Sequence, residues 1–177
     1  MSTKQMLFSG FGGQGILFSG KFIAYKGLME DKQVSWLPSY GPEMRGGTAS
    51  CSVIVSDEPV GSPIVSNPDI LIAMNLPSLD KFESTVAPGG MIFADSTLIE
   101  RKVAREDVKV FYIPATQLAS DNNMPTLANM IIVGKVLKEI GGYNEENITN
   151  ALKKVISAKR ADMLDVNLKA MRIGAEN

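Results

Sequence analysis

The sequence predicts an α/β fold, a three-layer sandwich in which helices cover both faces of a mainly parallel central sheet. Three observations lead to this prediction: short apolar runs alternate with helical segments, a glycine turn joins the first run to the first helix, and one run is apolar throughout. That run, DILIAMN at residues 69–75, is typical of a parallel strand covered on both faces. A chain of 177 residues is long enough for one domain with a sizeable core.

The first half of the chain contains four predicted strands and one predicted helix. Short runs rich in apolar and β-branched residues predict the strands, and a segment that is apolar on most of its circumference predicts the helix. The strands cover residues 4–9, 34–38, 49–56 and 69–75, and the helix covers residues 16–29.

The second half continues the alternation. A short helix is predicted over residues 77–86, with strands over 90–95 and 108–113. Pro125 is predicted in the first turn of a helix that stops at Gly141 and Gly142, and Asn144 is predicted to cap the following helix. A last helix is predicted from residue 161 to residue 171.

The composition excludes several kinds of chemistry. The chain has 18 Lys and Arg against 19 Asp and Glu, which gives no basic surface for nucleic acid or an anionic membrane. It has no His and a single Cys, Cys51, so zinc sites, iron–sulfur clusters and Ser-His-Asp or Cys-His catalytic groups are excluded. We therefore expect no catalytic residue and no metal site, with Cys51 as a small core residue. The absence of a signal peptide pattern or a long apolar run predicts a cytoplasmic location.

The glycine turn GFGGQG, from Gly10 to Gly15, has the G-x-G-x-x-G spacing of phosphate-binding turns. Such a turn lets the backbone approach a ligand, and the free N–H groups at the helix start attract a phosphate. A bound NAD or FAD is disfavoured because Asp31 precedes the second strand instead of ending it. Two alternatives remain: a phosphate-bearing ligand shared with another subunit, and a tight turn that only packs the helix on the sheet.

Two further polar segments follow predicted strands. The loop SYGPEMRGGT at residues 39–48 contains Arg45, which can hold a phosphate or carboxylate bidentately, next to a Gly-Gly pair. Its alternative is an ion pair between Glu43 and Arg45 on a solvated loop. Asn75 ends the run at residues 69–75, where ligands bind in open α/β sheets, and its alternative is a cap of the next helix.

Several blocks of sequence together resemble the gamma subunit of the 2-oxoacid:ferredoxin oxidoreductases. They are GFGGQGI, SYGPEMRGGTASCSVIVSDEPVGSPIV, PDILIAMN, and the pattern PxxxNMIxxG from Pro125 to Gly134. The resemblance spans nearly the whole chain, residues 1–177, as one domain, and implies a Rossmann-like fold. Enzymes of this family decarboxylate a 2-oxoacid oxidatively with coenzyme A, form an acyl-CoA and reduce ferredoxin.

The resemblance also implies a division of labour. Thiamine diphosphate, Mg²⁺ and iron–sulfur clusters belong to partners, namely alpha, beta and ferredoxin-like delta subunits, and the isolated chain is expected to be inactive. This chain is expected to complete the assembly and to help bind coenzyme A as co-substrate. The middle block is most similar to the 2-oxoglutarate and branched-chain enzymes, ahead of pyruvate and indolepyruvate. A purely structural assembly subunit and a stand-alone nucleotide-binding oxidoreductase remain as alternatives.

The candidate contacts to coenzyme A or to a partner subunit come from the two glycine-bearing loops and the end of the apolar run. They are Gly12, Gly13, Gln14, Gly15, Arg45, Gly46, Gly47, Thr48 and Asn75.

Overall fold

A computed structural model of the protein describes residues 2–39 and 48–177. The described residues form six strands, six α-helices and two short 3₁₀ turns. The strands are β1 (Thr3–Phe11), β2 (Gln33–Ser39), β3 (Thr48–Ser56), β4 (Ile70–Ala73), β5 (Met91–Asp95) and β6 (Lys109–Ile113). The helices are α1 (Ile16–Met29), α2 (Leu76–Phe82), α3 (Ala115–Asp121), α4 (Ala128–Glu139), α5 (Glu145–Val155) and α6 (Met163–Glu176). Within these two ranges, no helix is both long enough and apolar enough to cross a membrane.

All six strands belong to one sheet with the order β2-β3-β1-β4-β5-β6. Strands β1, β4, β5 and β6 pair in parallel, whereas β3 runs antiparallel to both of its neighbours, β1 and β2. Because β1 and β2 both oppose β3, every strand except β3 points the same way. The predicted mainly parallel sheet is therefore confirmed, with β3 as the exception.

Alternate residues of β1 serve the two faces of the sheet. Met6 and Phe8 belong to the larger core, which packs against α1, α3, α4, α5 and α6. Leu7 belongs to a smaller core on the opposite face, together with Leu71 of β4 and Leu79 of α2. This period of two is what a strand buried on both faces requires. The three-layer arrangement predicted from the sequence is confirmed.

Several predicted elements keep their predicted bounds, and others shift. Helix α1 covers the predicted residues 16–29, and Asn144 caps α5 by accepting a 2.9 Å hydrogen bond from the Asn147 N–H. Pro125 is not in the first turn of α4, which begins at Ala128. The preceding residues form a separate turn instead, closed by a 2.9 Å bond from the Leu127 N–H to the Met124 carbonyl.

The helix predicted over residues 77–86 is shorter, because α2 ends at Phe82 and a 3₁₀ turn, Glu83–Thr85, follows it. The Thr85 hydroxyl donates a 2.7 Å hydrogen bond to the Phe82 carbonyl at this junction. The last helix begins at Met163 and extends to Glu176, beyond the predicted end at residue 171. Helix α3 was not predicted at all, since its sequence ATQLASD buries mainly two alanines and shows little apolar periodicity.

Helices α4 and α6 cross with their backbones in contact. A Cβ atom on Gly134 would meet the backbone of Met171, and a Cβ on Gly174 would meet the carbonyl of Ile131. Backbone atoms cannot rotate away as a flexible side chain can, so both positions need glycine for close approach.

Gly134→Ala should therefore lower the free energy of unfolding by about 1–3 kcal/mol, because the added methyl group forces the two helices apart. Urea unfolding monitored by circular dichroism measures this change. Gly61→Ala is the matched control, since a Cβ there meets no heavy atom of the described residues within 4 Å. Equal stability of the two variants would contradict the close helix crossing.

Cys51 of β3 is only 1% exposed and faces α1, where its thiol donates a weak 3.5 Å hydrogen bond to the Ile16 carbonyl. Burial raises the pKa of the Cys51 thiol to about 12. The thiolate, which is the reactive form, is thus nearly absent at neutral pH. The prediction of a small core cysteine is confirmed.

In native protein at pH 8.5, a disulfide-forming thiol reagent should label Cys51 on the order of a hundredfold more slowly than in protein unfolded in guanidinium. The rate should rise only when the chain opens. Rapid stoichiometric labelling of the folded protein would show that the thiol is accessible.

Candidate functional site

The carboxyl ends of β1 and β4 lie side by side at the centre of the sheet, where open α/β sheets form a ligand-binding crevice. Helix α1 follows β1 and packs on the face of the larger core, whereas α2 follows β4 and packs on the opposite face. The chain therefore leaves two adjacent parallel strands in opposite directions, which defines a topological switch point. Open α/β sheets bind their ligands at such a point, just outside the strand ends.

The antiparallel direction of β3 brings a second segment to the same edge. Thr48, the first residue of β3, pairs with Phe11, the last residue of β1. Ser39, the last residue of β2, pairs with Ser50. The structure therefore brings Gly12, Gly13, Gln14, Gly15, Thr48 and Asn75 to one edge of the sheet. Arg45, Gly46 and Gly47 lie outside the described residues, as does the alternative ion pair between Glu43 and Arg45.

The glycine loop adopts a conformation that other residues rarely take. Gly13 has φ +91° and Gly15 has φ +75°, both in the left-handed region. Gly12 and Gly13 are exposed, and a Cβ on Gly13 would meet no heavy atom of the described part of the chain within 4 Å. The first turn of α1 contains no acidic residue and no side-chain cap contributed by the described residues. The loop thus presents backbone N–H groups at a positive helix end, which favours an anion.

Gln14 holds this loop in place. Its Oε1 accepts a 2.6 Å hydrogen bond from the Phe11 N–H, and its Nε2 donates a 3.1 Å bond to the Met74 carbonyl at the end of β4. One side chain therefore ties the turn after β1 to the neighbouring strand. Both polar atoms of the amide bond to backbone groups, so Gln14 positions the loop, and its remaining N–H leaves its predicted contact with a ligand as a prediction.

Asn129 of α4 supports the loop from the other side. Its Nδ2 donates hydrogen bonds to the Gly15 carbonyl at 3.1 Å and to the Ser19 hydroxyl at 3.0 Å. A Cβ on Gly15 would collide with this amide, so Gly15 is required for space as well as for its left-handed φ. Asn129 is not among the site residues predicted from the sequence, although the pattern from Pro125 to Gly134 contains it.

Asn75 caps α2, as its alternative interpretation predicts. Its Oδ1 accepts a 2.8 Å hydrogen bond from the Ser78 N–H. Its Nδ2 is buried and has no acceptor among residues 2–39 and 48–177. Beside it, the Ser9 hydroxyl donates a 2.9 Å bond to Ser78 Oγ and is fully buried. The Asn75 amide nitrogen therefore has two unused N–H donors at the end of β4, and a buried donor without an acceptor costs about 1–3 kcal/mol.

The chemistry available at this edge is binding rather than bond making. Asp95, at the end of β5, is fully buried and accepts hydrogen bonds from the Thr97 N–H at 3.1 Å and from the Thr116 hydroxyl at 2.5 Å. Its carboxylate therefore serves to join β5 to α3. The chain has no His, and Cys51 is buried in the core. The described residues of the crevice offer amide, hydroxyl and backbone groups, which hold a ligand without exchanging protons with it.

Comparison with known proteins identifies the family. Residues 5–177 match the family pyruvate ferredoxin/flavodoxin oxidoreductase. The chain belongs to this family. The resemblance found in the sequence blocks is thereby confirmed.

Two relatives illustrate how the domain occurs. Ketoisovalerate oxidoreductase subunit VorA of Methanothermobacter thermautotrophicus is 41% identical over 170 residues, which are 95% of this chain and 35% of the relative. The chain thus spans about a third of the length of that relative. 2-Oxoglutarate synthase subunit KorC of Methanocaldococcus jannaschii is 34% identical over 152 residues, which are 84% of this chain and 81% of the relative.

Solved structures share the fold. The gamma subunit of a keto/oxoacid ferredoxin oxidoreductase from Geobacter sulfurreducens has a TM-score of 0.85 and 27% identity, covering 99% of this chain and 96% of its own. The 2-oxoglutarate:ferredoxin oxidoreductase of Magnetococcus marinus, solved with 2-oxoglutarate, coenzyme A and succinyl-CoA bound, has a TM-score of 0.87 and 25% identity. It covers 99% of this chain and 31% of its own.

Gln14→Ala should lower the free energy of unfolding by about 1–3 kcal/mol, because the Phe11 N–H and the Met74 carbonyl both lose their partner. Amide hydrogen exchange at Phe11 should accelerate in the same variant. Gln117→Ala is the control, since the Gln117 amide bonds only to Asp121 on the exposed surface of α3. Unchanged exchange at Phe11 would show that Gln14 does not hold the loop.

Proposed function

We propose that this chain is the gamma subunit of a multi-subunit 2-oxoacid:ferredoxin oxidoreductase. Such an enzyme decarboxylates a 2-oxoacid oxidatively, transfers the acyl group to coenzyme A and passes the electrons to ferredoxin. The family match over residues 5–177 supports this proposal, as does the similarity to VorA over 95% of the chain. The similarity to KorC over 84% of this chain supports it further.

Within the assembly, the crevice between β1 and β4 forms part of the coenzyme A site. The single observation that carries this proposal is the combination of an exposed glycine turn with the unused N–H groups of Asn75 at one strand edge. Coenzyme A carries a pyrophosphate and a 3′-phosphate, whose oxygens accept hydrogen bonds from backbone N–H groups and from a side-chain amide. The predicted contacts Arg45, Gly46 and Gly47 would add a cation and close backbone approach.

The cofactors of the reaction belong to the partner subunits. This chain has no His and a single, buried Cys, so it has no set of ligands for an iron–sulfur cluster. It also lacks a glycine-aspartate-glycine motif with a downstream Asn of the kind that holds Mg²⁺ and thiamine diphosphate. Alpha, beta and ferredoxin-like delta subunits supply these groups, and the assembly works in the cytoplasm. The isolated chain is inactive, since thiamine diphosphate provides the carbanion chemistry of decarboxylation.

A branched-chain 2-oxoacid is the first candidate substrate, and 2-oxoglutarate is the second. The relative named for ketoisovalerate is 41% identical, and the KorC relative named for 2-oxoglutarate synthase is 34% identical. The assembled enzyme, purified from the native host, should reduce ferredoxin fastest with a branched-chain 2-oxoacid and coenzyme A. Faster turnover of 2-oxoglutarate or pyruvate would reverse this order.

Gly13→Asp in the assembled enzyme should raise the apparent KM for coenzyme A about tenfold or more, because a carboxylate then faces the phosphates at the helix start. The KM for the 2-oxoacid should stay the same. Gly89→Asp is the matched control: Gly89 has φ +76° and the same lack of near neighbours among the described residues. It precedes β5, at the opposite edge of the sheet.

The substitution Asn75→Asp tests directly whether the side-chain N–H of Asn75 bonds to a phosphate of coenzyme A. The variant keeps an oxygen to cap α2, but it replaces the unused N–H donors with an acceptor that repels phosphate. The KM for coenzyme A should rise here as well, and the melting temperature should fall because the new carboxylate replaces a buried side chain. If both variants assemble and leave this KM unchanged, the coenzyme A role is wrong and the purely structural subunit is the better description. Turnover of a nucleotide by the chain alone would favour a stand-alone oxidoreductase.

A further inference from the structure

A cavity of about 340 Å³ lies on the face of the sheet that carries the larger core. It is located where α1 and α4 begin and where α5 leads into α6. It adjoins the glycine loop, because Gly15 belongs to both. Its walls are mainly apolar and include Phe18, Leu127, Ile156 and Met163. Sites for small molecules have this size and consist of an apolar lining with a few convergent polar groups.

Two of those polar groups are buried amide oxygens without a donor. Asn129 and Asn167 both line the cavity, and their side chains are 4% and 2% exposed. Each amide nitrogen is engaged with a residue that also lines the cavity: Asn129 Nδ2 with the Gly15 carbonyl, and Asn167 Nδ2 with the Met163 carbonyl at 2.8 Å. Both Oδ1 atoms have no partner within the described part of the chain. Two unpaired acceptors on residues that line one cavity favour a ligand with N–H or O–H donors.

The same cavity also has a cationic rim. Arg160 lines it, is exposed, and takes part in none of the ion pairs formed by residues 2–39 and 48–177. The lining further includes Leu127, the residue before α4, and Met163, the first residue of α6. Helix starts carry partial positive charge and prefer an anion. The rim therefore suits a carboxylate, whereas the interior suits a donor and an apolar group.

We propose that this cavity binds a free α-amino acid with an apolar side chain. Its ammonium N–H groups would donate to Asn129 Oδ1 and Asn167 Oδ1, its carboxylate would pair with Arg160, and its side chain would contact the apolar walls. A hydrocarbon or fatty acid leaves both amide oxygens unpaired, and a simple amine leaves Arg160 unpaired. The corresponding 2-oxoacid has the carboxylate and side chain but lacks the donor. The site is thus selective for the amino group.

Isothermal titration calorimetry of the full-length chain with leucine tests this inference. Leucine should bind with saturation at one site, and its 2-oxo analogue should bind at least about tenfold more weakly because it lacks the N–H donors. Arg160→Gln should weaken leucine binding about tenfold through loss of a charge-assisted hydrogen bond. Lys159→Gln, a change of the neighbouring cation that does not line the cavity, should leave the affinity unchanged.

Asn167→Leu provides a second measurement that does not depend on affinity alone. The variant removes an unpaired buried oxygen, so its melting temperature without ligand should equal or exceed that of the original protein. The rise in melting temperature caused by leucine should disappear. The inference is overturned if leucine fails to saturate the chain, if the 2-oxo analogue binds equally well, or if Asn167→Leu still responds to leucine. These experiments use no coenzyme A and no partner, so their outcome is independent of the proposed function.

Discussion

Two side-chain amides tie the turn after β1 to the neighbouring elements β4 and α4, and the conformation of the candidate site depends on them. The Gln14 side chain accepts a hydrogen bond from the Phe11 N–H and donates one to the Met74 carbonyl. The Asn129 side chain donates a hydrogen bond to the Gly15 carbonyl. The first amide fixes β1 against β4, and the second fixes the start of α1 against α4. Without these bonds, the exposed glycines would sample many conformations. Ligand binding would then have to order the loop, and the lost conformational entropy would weaken the affinity.

This arrangement suits the binding of an anion by a chain that is poor in reactive side chains. A glycine turn held rigidly at a helix start binds an anion with backbone groups, which do not titrate and need no particular side chain. The surrounding amides of Gln14, Asn75 and Asn129 are neutral as well. An anion held at this edge would therefore not rely on the ionisation of any described side chain.

The sequence was sufficient for those features that follow from local pattern. Helix α1 and the cap at Asn144 were predicted correctly because a long apolar segment and a capping residue are visible within a few neighbouring positions. The direction of β3 was not predicted, although its alternating sequence is more typical of an antiparallel strand than of a parallel strand buried on both faces. Helix α3 was not predicted because its buried side chains are small and produce little apolar periodicity.

Long-range pairs were also beyond reach of the sequence. Asn129 contacts Gly15 across 114 positions of the chain, and nothing in the residues around Asn129 marks this partner. The fold was therefore needed to show that the glycine loop adjoins the cavity lined by Asn129. The candidate contacts Gly12, Gly13, Thr48 and Asn75 were placed at one edge by the strand order, whereas the roles of Arg45, Gly46 and Gly47 stay predictions.

The position of β3 between β2 and β1 has a consequence for how the chain folds. The segment from β1 through α1 to β2 skips one place in the sheet, and only the later strand fills that gap. During synthesis, the first 39 residues have two strands that cannot bond to each other. Their backbone groups find partners only after residue 56 has emerged, when β3 pairs with β2 along seven positions and with β1 along nine. Nascent chains that end before residue 56 leave the backbone groups of both strands unpaired, which favours pairing with other chains.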